Sequence, residues 1–211
     1  KSTMLRSIFH SRRPTKGTVT VDGVDVWSRD TKWSSQHISV VLQETSAEFP
    51  LTCGEIVRMG RTPHKKSWRS LSEGDLALCG AAMELMEVGD LATSTFSRIS
   101  GGERRRVTIA RALAQQTGLL IMDEPTNHLD IHHQLKVVEL SRRLRSTVVV
   151  ALHDISLAAR FCDTLVLMSK GKCVAAGAPS AVLSPGILDD VYKVYTHLGR
   201  HPSGAVQVTV L

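Results

Sequence analysis

The sequence has 211 residues, of which 42% are apolar, and this is enough for one sizeable hydrophobic core. Its longest apolar runs fall well short of the roughly 20 residues that a bilayer-spanning helix needs, so we expect no such helix. The net charge of +6 is dispersed, and its two short clusters, Arg104–Arg106 and Arg142–Arg143, lie in predicted helices; we interpret them as solvated helix faces and not as a nucleic-acid surface.

The first predicted elements are a helix and two strands. Residues 1–9 predict the helix, because their apolar residues recur four positions apart. It begins at the first residue without a cap, so we expect that residues upstream of it have been removed. Alternation over Thr18–Val21 and the following Asp22-Gly23 predict a strand and a hairpin turn. Ile38–Leu42 predicts an apolar strand that ends at Gln43.

Strand signals then disappear, and residues 44–118 predict a mainly helical subdomain with helices at Glu55–Met59 and Glu73–Val88. After it, nearly all-apolar strands alternate with helices. The strands are predicted at Leu119–Met122, Thr147–Leu152 and Thr164–Met168, and the helices at Glu103–Gln116 and Ile131–Leu144. Gly171 predicts a final hairpin turn toward Val174. This alternation predicts the α/β fold class, with a mostly parallel sheet that is covered by helices on both faces.

Two carboxylates follow the predicted strand Leu119–Met122. Asp123 and Glu124 are expected at its carboxyl end, which is where ligands bind in open α/β sheets. Because burying carboxylates is costly without a cation or donors, we expect Asp123 to hold Mg²⁺ and Glu124 to face a water molecule. The alternative is an ordinary acidic turn at the end of a strand.

The segment Ser100-Gly101-Gly102-Glu103 leads directly into a predicted helix. Small residues at a helix start leave backbone N–H groups uncovered, with the positive end of the helix dipole behind them. This arrangement predicts an anion site suited to a phosphate. The alternative is a flexible loop followed by a capped helix.

Further polar residues occupy positions suited to nucleotide chemistry. Lys1-Ser2 fits the end of the loop G-x-x-x-x-G-K-[ST], whose lysine reaches the phosphates and whose hydroxyl binds Mg²⁺. His153 follows a predicted strand, where it could donate to a phosphate oxygen or serve only as a boundary histidine. Gln43 ends another strand, within reach of a metal shell and an attacking water.

Together these elements, in this order, resemble the nucleotide-binding subunit of ABC transporters. Lys1-Ser2 is similar to the end of the Walker A motif, and Leu119–Glu124 to Walker B. Gln43 is similar to the Q-loop, Ser100–Glu103 to the signature, Asn127–Asp130 to the D-loop and His153 to the switch histidine. The resemblance implies a P-loop NTPase-like fold in one ATPase domain over residues 1–211. Its core would be residues 1–43 and 119–211, and its N-terminal strands would be missing.

The resemblance also implies a site, cofactors and partners. Two copies would sandwich two ATP molecules head to tail, with the signature of one copy facing the nucleotide of the other. The cofactors would be ATP and Mg²⁺. The partners would be membrane permease subunits and, indirectly, a substrate-binding protein, with the chain peripheral on the cytoplasmic face of the membrane. The implied residues are Glu124, His153 and Gln43 for catalysis, Lys1, Ser2, Thr3, Ser100, Gly101, Gly102, Glu103 and Asp130 for nucleotide binding, and Ser2, Gln43 and Asp123 for Mg²⁺.

A finer resemblance concerns three outlying segments, Met59–His64, His153–Asp163 and Gly177–Pro185. They are similar to the ATPases of importers for iron-siderophores, haem and vitamin B12. One alternative is a non-transport ABC ATPase that acts on ribosomes or DNA. Another is a fragment inactive in nucleotide binding, because the Walker A glycines would lie upstream of Lys1.

One group of residues resembles a metal site without fitting one well. His128, Asp130, His132 and His133 are close in sequence, as metal ligands often are. Asp130 is accounted for by the D-loop, and the last two histidines open a predicted helix. We therefore assign no transition-metal site to them.

Overall fold

The computed structural model describes residues 1–42, 50–65, 71–127, 129–193, 196–200 and 206–210. The helices are α1 Ser2–Ile8, α2 Thr31–His37, α3 Cys53–Arg58, α4 Glu73–Leu85, α5 Gly101–Ala114, α6 Ile131–Arg143, α7 Ile155–Phe161, α8 Pro179–Val182 and α9 Pro185–Tyr192. The strands are β1 Thr20–Val21, β2 Val24–Asp25, β3 Ile38–Val41, β4 Leu119–Asp123, β5 Thr147–Ala151, β6 Leu165–Ser169, β7 Lys172–Gly177, β8 Thr196–Arg200 and β9 Val206–Val210. Among these residues no helix is both long and apolar enough to cross a bilayer.

These residues form two compact units. The larger unit comprises residues 2–137 and 143–151, and the smaller comprises residue 1 with 138–142 and 152–211. The prediction of one ATPase domain, divided into a core and a helical subdomain, stays a prediction.

A parallel sheet of three strands, in the order β3-β4-β5, lies in the larger unit. Ile38 pairs with Leu119, and Leu119 pairs with Thr147 on the far side. All five residues of β4 are buried, as expected for a central strand covered on both faces. The predicted α/β fold with parallel strands is therefore confirmed.

One face of this sheet carries the core that fixes α1. Leu5 of α1 is buried with Ile38, Leu119, Ile121 and other apolar side chains. Because β4 and β5 are parallel and pair continuously, their last residues, Asp123 and Ala151, lie side by side at one edge of the sheet.

Helices α3, α4 and α5 pack on one another between β3 and β4 in the chain. A 3-10 turn at Met59–His64 follows α3, and a Cβ at its Gly60 would lie 2.2 Å from the Arg111 carbonyl oxygen of α5. Only glycine permits this approach. Arg61 Nη1 and His64 Nε2 then bond the carbonyl oxygens of Ala114 and Gln115 at 3.0 and 2.8 Å. This segment therefore fixes the end of α5.

Two helix boundaries differ from the predicted ones for reasons visible in the backbone. Helix α5 begins at Gly101 rather than Glu103, because Ser100 caps it. Helix α4 ends at Leu85 rather than Val88, because Glu87 adopts a left-handed conformation with φ of 54°.

In the smaller unit, β6 and β7 form an antiparallel hairpin. Lys170 and Gly171 both have positive φ, at 48° and 78°, as a two-residue type I′ turn requires. The predicted turn at Gly171 is confirmed. A small core of Ala159, Leu183 and Leu188 holds the helices of this unit together.

Candidate functional site

Asp123 and Glu124 lie at the carboxyl end of β4. Asp123 is the last residue of the strand and pairs with Ala151 of β5. The Glu124 N–H continues the ladder by donating to the Ala151 carbonyl oxygen at 3.1 Å. Both residues are buried, with only 7% and 8% of their surfaces exposed. The structure thus brings the two predicted carboxylates together at a sheet edge, in low-dielectric surroundings.

The Asp123 side chain fits a cation ligand. Its Oδ1 atom is buried and has no hydrogen-bond partner among the described residues. A buried carboxylate oxygen without donors is costly, and a hard divalent cation such as Mg²⁺ offsets that cost. Asp123 therefore fits a magnesium site on chemical grounds.

Glu124 is held in an unusual conformation. Its φ is 51°, in the left-handed region that glutamate rarely adopts. Asn127 Nδ2 donates to Glu124 Oε2 at 2.7 Å, and the Asn127 N–H donates to the Glu124 carbonyl oxygen at 3.3 Å. Backbone strain of this kind persists where surrounding contacts over-determine it, and it concentrates at functional sites. Asn127 is thus a positioning residue that the sequence had placed only within the D-loop.

Arg105 of α5 joins the ends of two strands. Its Nη2 donates to the Asp123 carbonyl oxygen at 2.7 Å, and its Nε donates to the Pro125 carbonyl oxygen at 3.3 Å. Its Nη1 donates to the Leu42 carbonyl oxygen. Burial lowers the pKa of the Arg105 guanidinium, and the negative charges of Asp123 and Glu124 oppose that shift. One buried cation therefore ties α5 to the residues that follow β3 and β4.

The solvated-face interpretation of Arg104–Arg106 was wrong for Arg105, which is only 8% exposed. The helical repeat carried a signal that was missed. Thr108, Ile109 and Ala112 lie three, four and seven positions after Arg105, and all are buried. An arginine in register with such a face points inward.

Ser100 caps α5 and is exposed. The Glu103 N–H donates to Ser100 Oγ at 3.3 Å, and the Ser100 N–H donates to Glu103 Oε2 at 2.8 Å. This reciprocal capping box accounts for a glutamate at this position, and the bonds from Ser100 lower the pKa of Glu103. The helix is capped, which both interpretations of the segment allow, so phosphate binding by Ser100, Gly101 and Gly102 stays a prediction.

Lys1 and His153 lie together in the smaller unit. Lys1 Nζ is 3.4 Å from His153 Nδ1, and both residues are exposed. Since an ammonium group only donates, Nδ1 accepts in this contact. Ser2 opens α1, and Thr3 accepts a bond from Ser7 Oγ through its carbonyl oxygen. The roles predicted for all four residues stay predictions.

Gln43 and the D-loop complete the predicted residues. Gln43 lies outside the described residues, directly after Leu42, so its two predicted roles are untested. In the D-loop, His128 also lies outside them. Asp130 accepts from the His133 N–H at 2.9 Å, and the bonds from His133 lower the pKa of Asp130. Within the described ranges, no group of three histidine, cysteine or acidic residues is arranged to hold a metal ion.

Comparison with known proteins gives a consistent result. The family model described as "ABC transporter" matches residues 1–127. The cobalamin import ATP-binding protein BtuD of Halobacterium salinarum is 41% identical over 100% of this chain and 54% of its own length. The hemin import ATP-binding protein HmuV of Streptomyces coelicolor is 39% identical over 99% of this chain and 75% of its own length. The chain thus spans about half the length of the cobalamin relative.

A solved structure shares the fold. An inward-facing metal-chelate type ABC transporter aligns with a TM-score of 0.82 and 24% identity, over 100% of this chain and 82% of that chain. At this identity the likeness shows the fold alone.

Proposed function

The chain belongs to the ABC transporter family, and from this premise we propose that it is the ATP-binding and hydrolysing subunit of an importer. The proposed cargo is an iron-siderophore, haem or a related metal chelate. The ATPase proposal rests on the buried carboxylate pair at the end of β4. Asp123 Oδ1 has no hydrogen-bond partner among the described residues, and Glu124 Oε2 accepts a bond from Asn127. An acidic turn with no role in chemistry would not need this burial or this strain.

Asp123 would hold Mg²⁺, and Ser2 and Gln43 are the further ligands we propose. When bound, the ion neutralises charge on the phosphates of ATP. Lys1 and His153 would bind phosphate oxygens. Their observed contact supports this, because it places the Lys1 ammonium group beside the His153 imidazole, so that both can bind the same anion.

Glu124 would orient the attacking water and accept its proton. Such a base works only within hydrogen-bond reach of its proton, so its direction must be fixed. The bond from Asn127 to Oε2 supplies that direction, and the buried surroundings exclude bulk water from the carboxylate. Phosphoryl transfer depends chiefly on positioning and charge stabilisation, which is what these contacts offer.

The exposed signature segment supports a head-to-tail dimer. Ser100 and Gly101 present the start of α5 to solvent, with a dipole that favours an anion. We propose that this end, with Glu103 and Asp130, meets ATP held by a second copy, and that Thr3 lines the nucleotide bound by its own copy.

The proposed partners are integral membrane permease subunits and, through them, a substrate-binding protein. The chain would then work as a peripheral subunit on the cytoplasmic face of the membrane. The cargo class is supported by the relatives, one of which is described as importing cobalamin and another hemin.

Glu124→Gln tests this function in the full-length protein assembled with its permease. We expect ATP binding to be unchanged and turnover to fall by about a hundredfold or more, since only the base is lost. Glu139→Gln, the same change at an exposed glutamate of α6, is the matched control and should hydrolyse ATP normally. Near-normal turnover of Glu124→Gln would overturn the role of Glu124. Co-purification with ribosomes or DNA instead of a permease would overturn import.

A further inference from the structure

His133, on the first turn of α6, contacts two segments of the proposed ATP site at once. We propose that it is a positioning residue that couples the D-loop to the signature helix α5. This inference rests on the proposed function, since it assigns a role within the same dimeric ATP site. The contacts that carry it all lie in the larger unit.

One ring nitrogen of His133 binds the D-loop. Its Nδ1 atom lies 2.8 and 2.9 Å from the two carboxylate oxygens of Asp130. The His133 backbone N–H also donates to Asp130 Oδ1 at 2.9 Å. Asp130 is exposed, with 66% of its side chain open to solvent, whereas the His133 side chain is only 18% exposed. A half-buried imidazole thus holds an exposed carboxylate in place.

The other ring nitrogen binds the signature helix. Arg106 Nη1 of α5 lies 2.5 Å from His133 Nε2. A guanidinium group has only donors, so Nε2 must accept and carry no proton. The proton of a neutral imidazole is then on Nδ1, where it donates to Asp130. The contacts therefore assign one tautomer, in which hydrogen bonds run from Arg106 through His133 to Asp130.

A third element surrounds the ring without replacing these bonds. Glu87, at the end of α4, has its Oε2 atom 3.6 Å from His133 Nε2, beyond hydrogen-bond distance. Glu87 instead accepts a bond from Lys136, one turn along α6, and this bond is the main cause that lowers the pKa of Glu87. The ring is therefore enclosed by charges from α4, α5 and α6.

The position of these contacts suggests what the coupling does. Arg106 lies five residues after Gly101 on the same rigid helix, and Asp130 lies six residues after Glu124. In the proposed dimer, both Ser100–Gly102 and Asp130 meet the site shared with the second copy. Because the His133 imidazole is bonded to both segments, a movement of one segment should move the other. Its loss should therefore weaken ATP-driven closure of the dimer and leave the chemistry at Glu124 intact.

The test compares His133→Ala, His133→Asn and His133→Gln in the full-length protein assembled with its permease. For His133→Ala we expect the KM for ATP to rise about fivefold or more, with the kcat at saturating ATP within about twofold of wild type. Asparagine keeps a donor near Asp130 and glutamine keeps an acceptor near Arg106, so each should restore part of the loss. Glu139→Ala, at an exposed residue six positions further along α6, is the control.

Two further measurements separate coupling from a merely structural role. In a double-mutant cycle, Arg106→Ala and His133→Ala combined should raise KM no more than the larger single change, because each removes the same connection. The imidazole nitrogen shifts of His133 in NMR should report the Nδ1–H tautomer, a readout independent of hydrolysis.

Three results would overturn the proposal: a His133→Ala protein that matches Glu139→Ala, multiplicative effects in the cycle, or an Nε2–H tautomer. Failure of the proposed function would look different. It would appear as normal turnover in Glu124→Gln, whatever the His133 variants do.

Discussion

The end of β4 and the start of α5 form two halves of the proposed ATP site. They differ in burial and in how many contacts within the chain hold their residues in place. At the end of β4, Asp123 and Glu124 are buried, and Arg105 and Asn127 fix the backbone and side chains around them. At the start of α5, Ser100 is exposed, and its side chain bonds within its own capping box. The buried half is preorganised, whereas the exposed half presents itself to something outside the chain.

This contrast predicts where stability and turnover are linked. In the buried half, a single substitution should lower both stability and turnover, because the same hydrogen bonds stabilise the fold and orient the carboxylates. In the exposed half, a change should affect hydrolysis with little effect on stability.

Arg105→Gln should give the largest effect in the buried half. It leaves three carbonyl oxygens without their charged donor, so we expect a loss of about 3 kcal/mol in the free energy of unfolding. We also expect reduced turnover at saturating ATP, since the Asp123 and Leu42 carbonyl oxygens are no longer tied together. Urea unfolding and steady-state hydrolysis measure the two quantities.

The control for Arg105→Gln is Arg98→Gln, which changes an exposed arginine just before the signature segment. It should stay within about 0.5 kcal/mol of wild type. Equal stability of the two variants would show that the buried guanidinium does not hold the strand ends.

Asn127→Ala should give a smaller and more selective effect. It removes the bond to Glu124 Oε2, and the loss of one charge-assisted hydrogen bond of about 1.5 kcal/mol corresponds to roughly a tenfold lower kcat. The KM for ATP should change little, because Asn127 acts on the base. A raised KM with normal kcat would mean that Asn127 contacts the nucleotide instead.

Asp75→Asn should give the smallest effect, and on stability alone. The hydroxyl of Ser72 and the Arg61 guanidinium hold the pKa of Asp75 at about 2, below its ordinary value. A lowered pKa in the folded state means that the carboxylate stabilises the fold above its unfolded pKa and that this contribution is lost as the pH falls toward 2.

The urea midpoint of Asp75→Asn should therefore lie below that of wild type near neutral pH, and the two should converge between about pH 4 and 2. Hydrolysis should be unchanged, because Asp75 lies on α4 and its partner Arg61 binds the end of α5 that is far from the signature segment. A gap that persists at the lowest pH would contradict the role of the charge.

The fold was predictable where the sequence pattern is governed by burial. Strands β3, β4 and β5 are nearly continuous apolar runs. Gly171 indicates the hairpin between β6 and β7, because few residues other than glycine adopt the positive φ that this turn requires. The motif order also placed Asp123 and Glu124 at a strand end. These features depend on local sequence, so one chain was enough to predict them.

Other features depended on contacts between distant segments. The left-handed glutamate at position 124 was not predicted, because its N–H is bonded to Ala151 of β5, which is distant in sequence. Arg105 was misread because three adjacent arginines suggest a solvated face, although only its position in the helical repeat decides which one is buried. His133 was considered as a metal ligand, and its contact with Arg106 appears only when α5 and α6 come together.

The central claim is that the buried and exposed halves of each ATP site come from different copies. Mixing two inactive variants, Glu124→Gln and Ser100→Arg, in assembled transporter tests it most directly. A mixed dimer then has one site with both defects and one with neither, so random pairing should restore about a quarter of wild-type hydrolysis. If both halves of a site came from the same copy, every site in the mixture would stay defective, and the absence of any recovery would contradict the account.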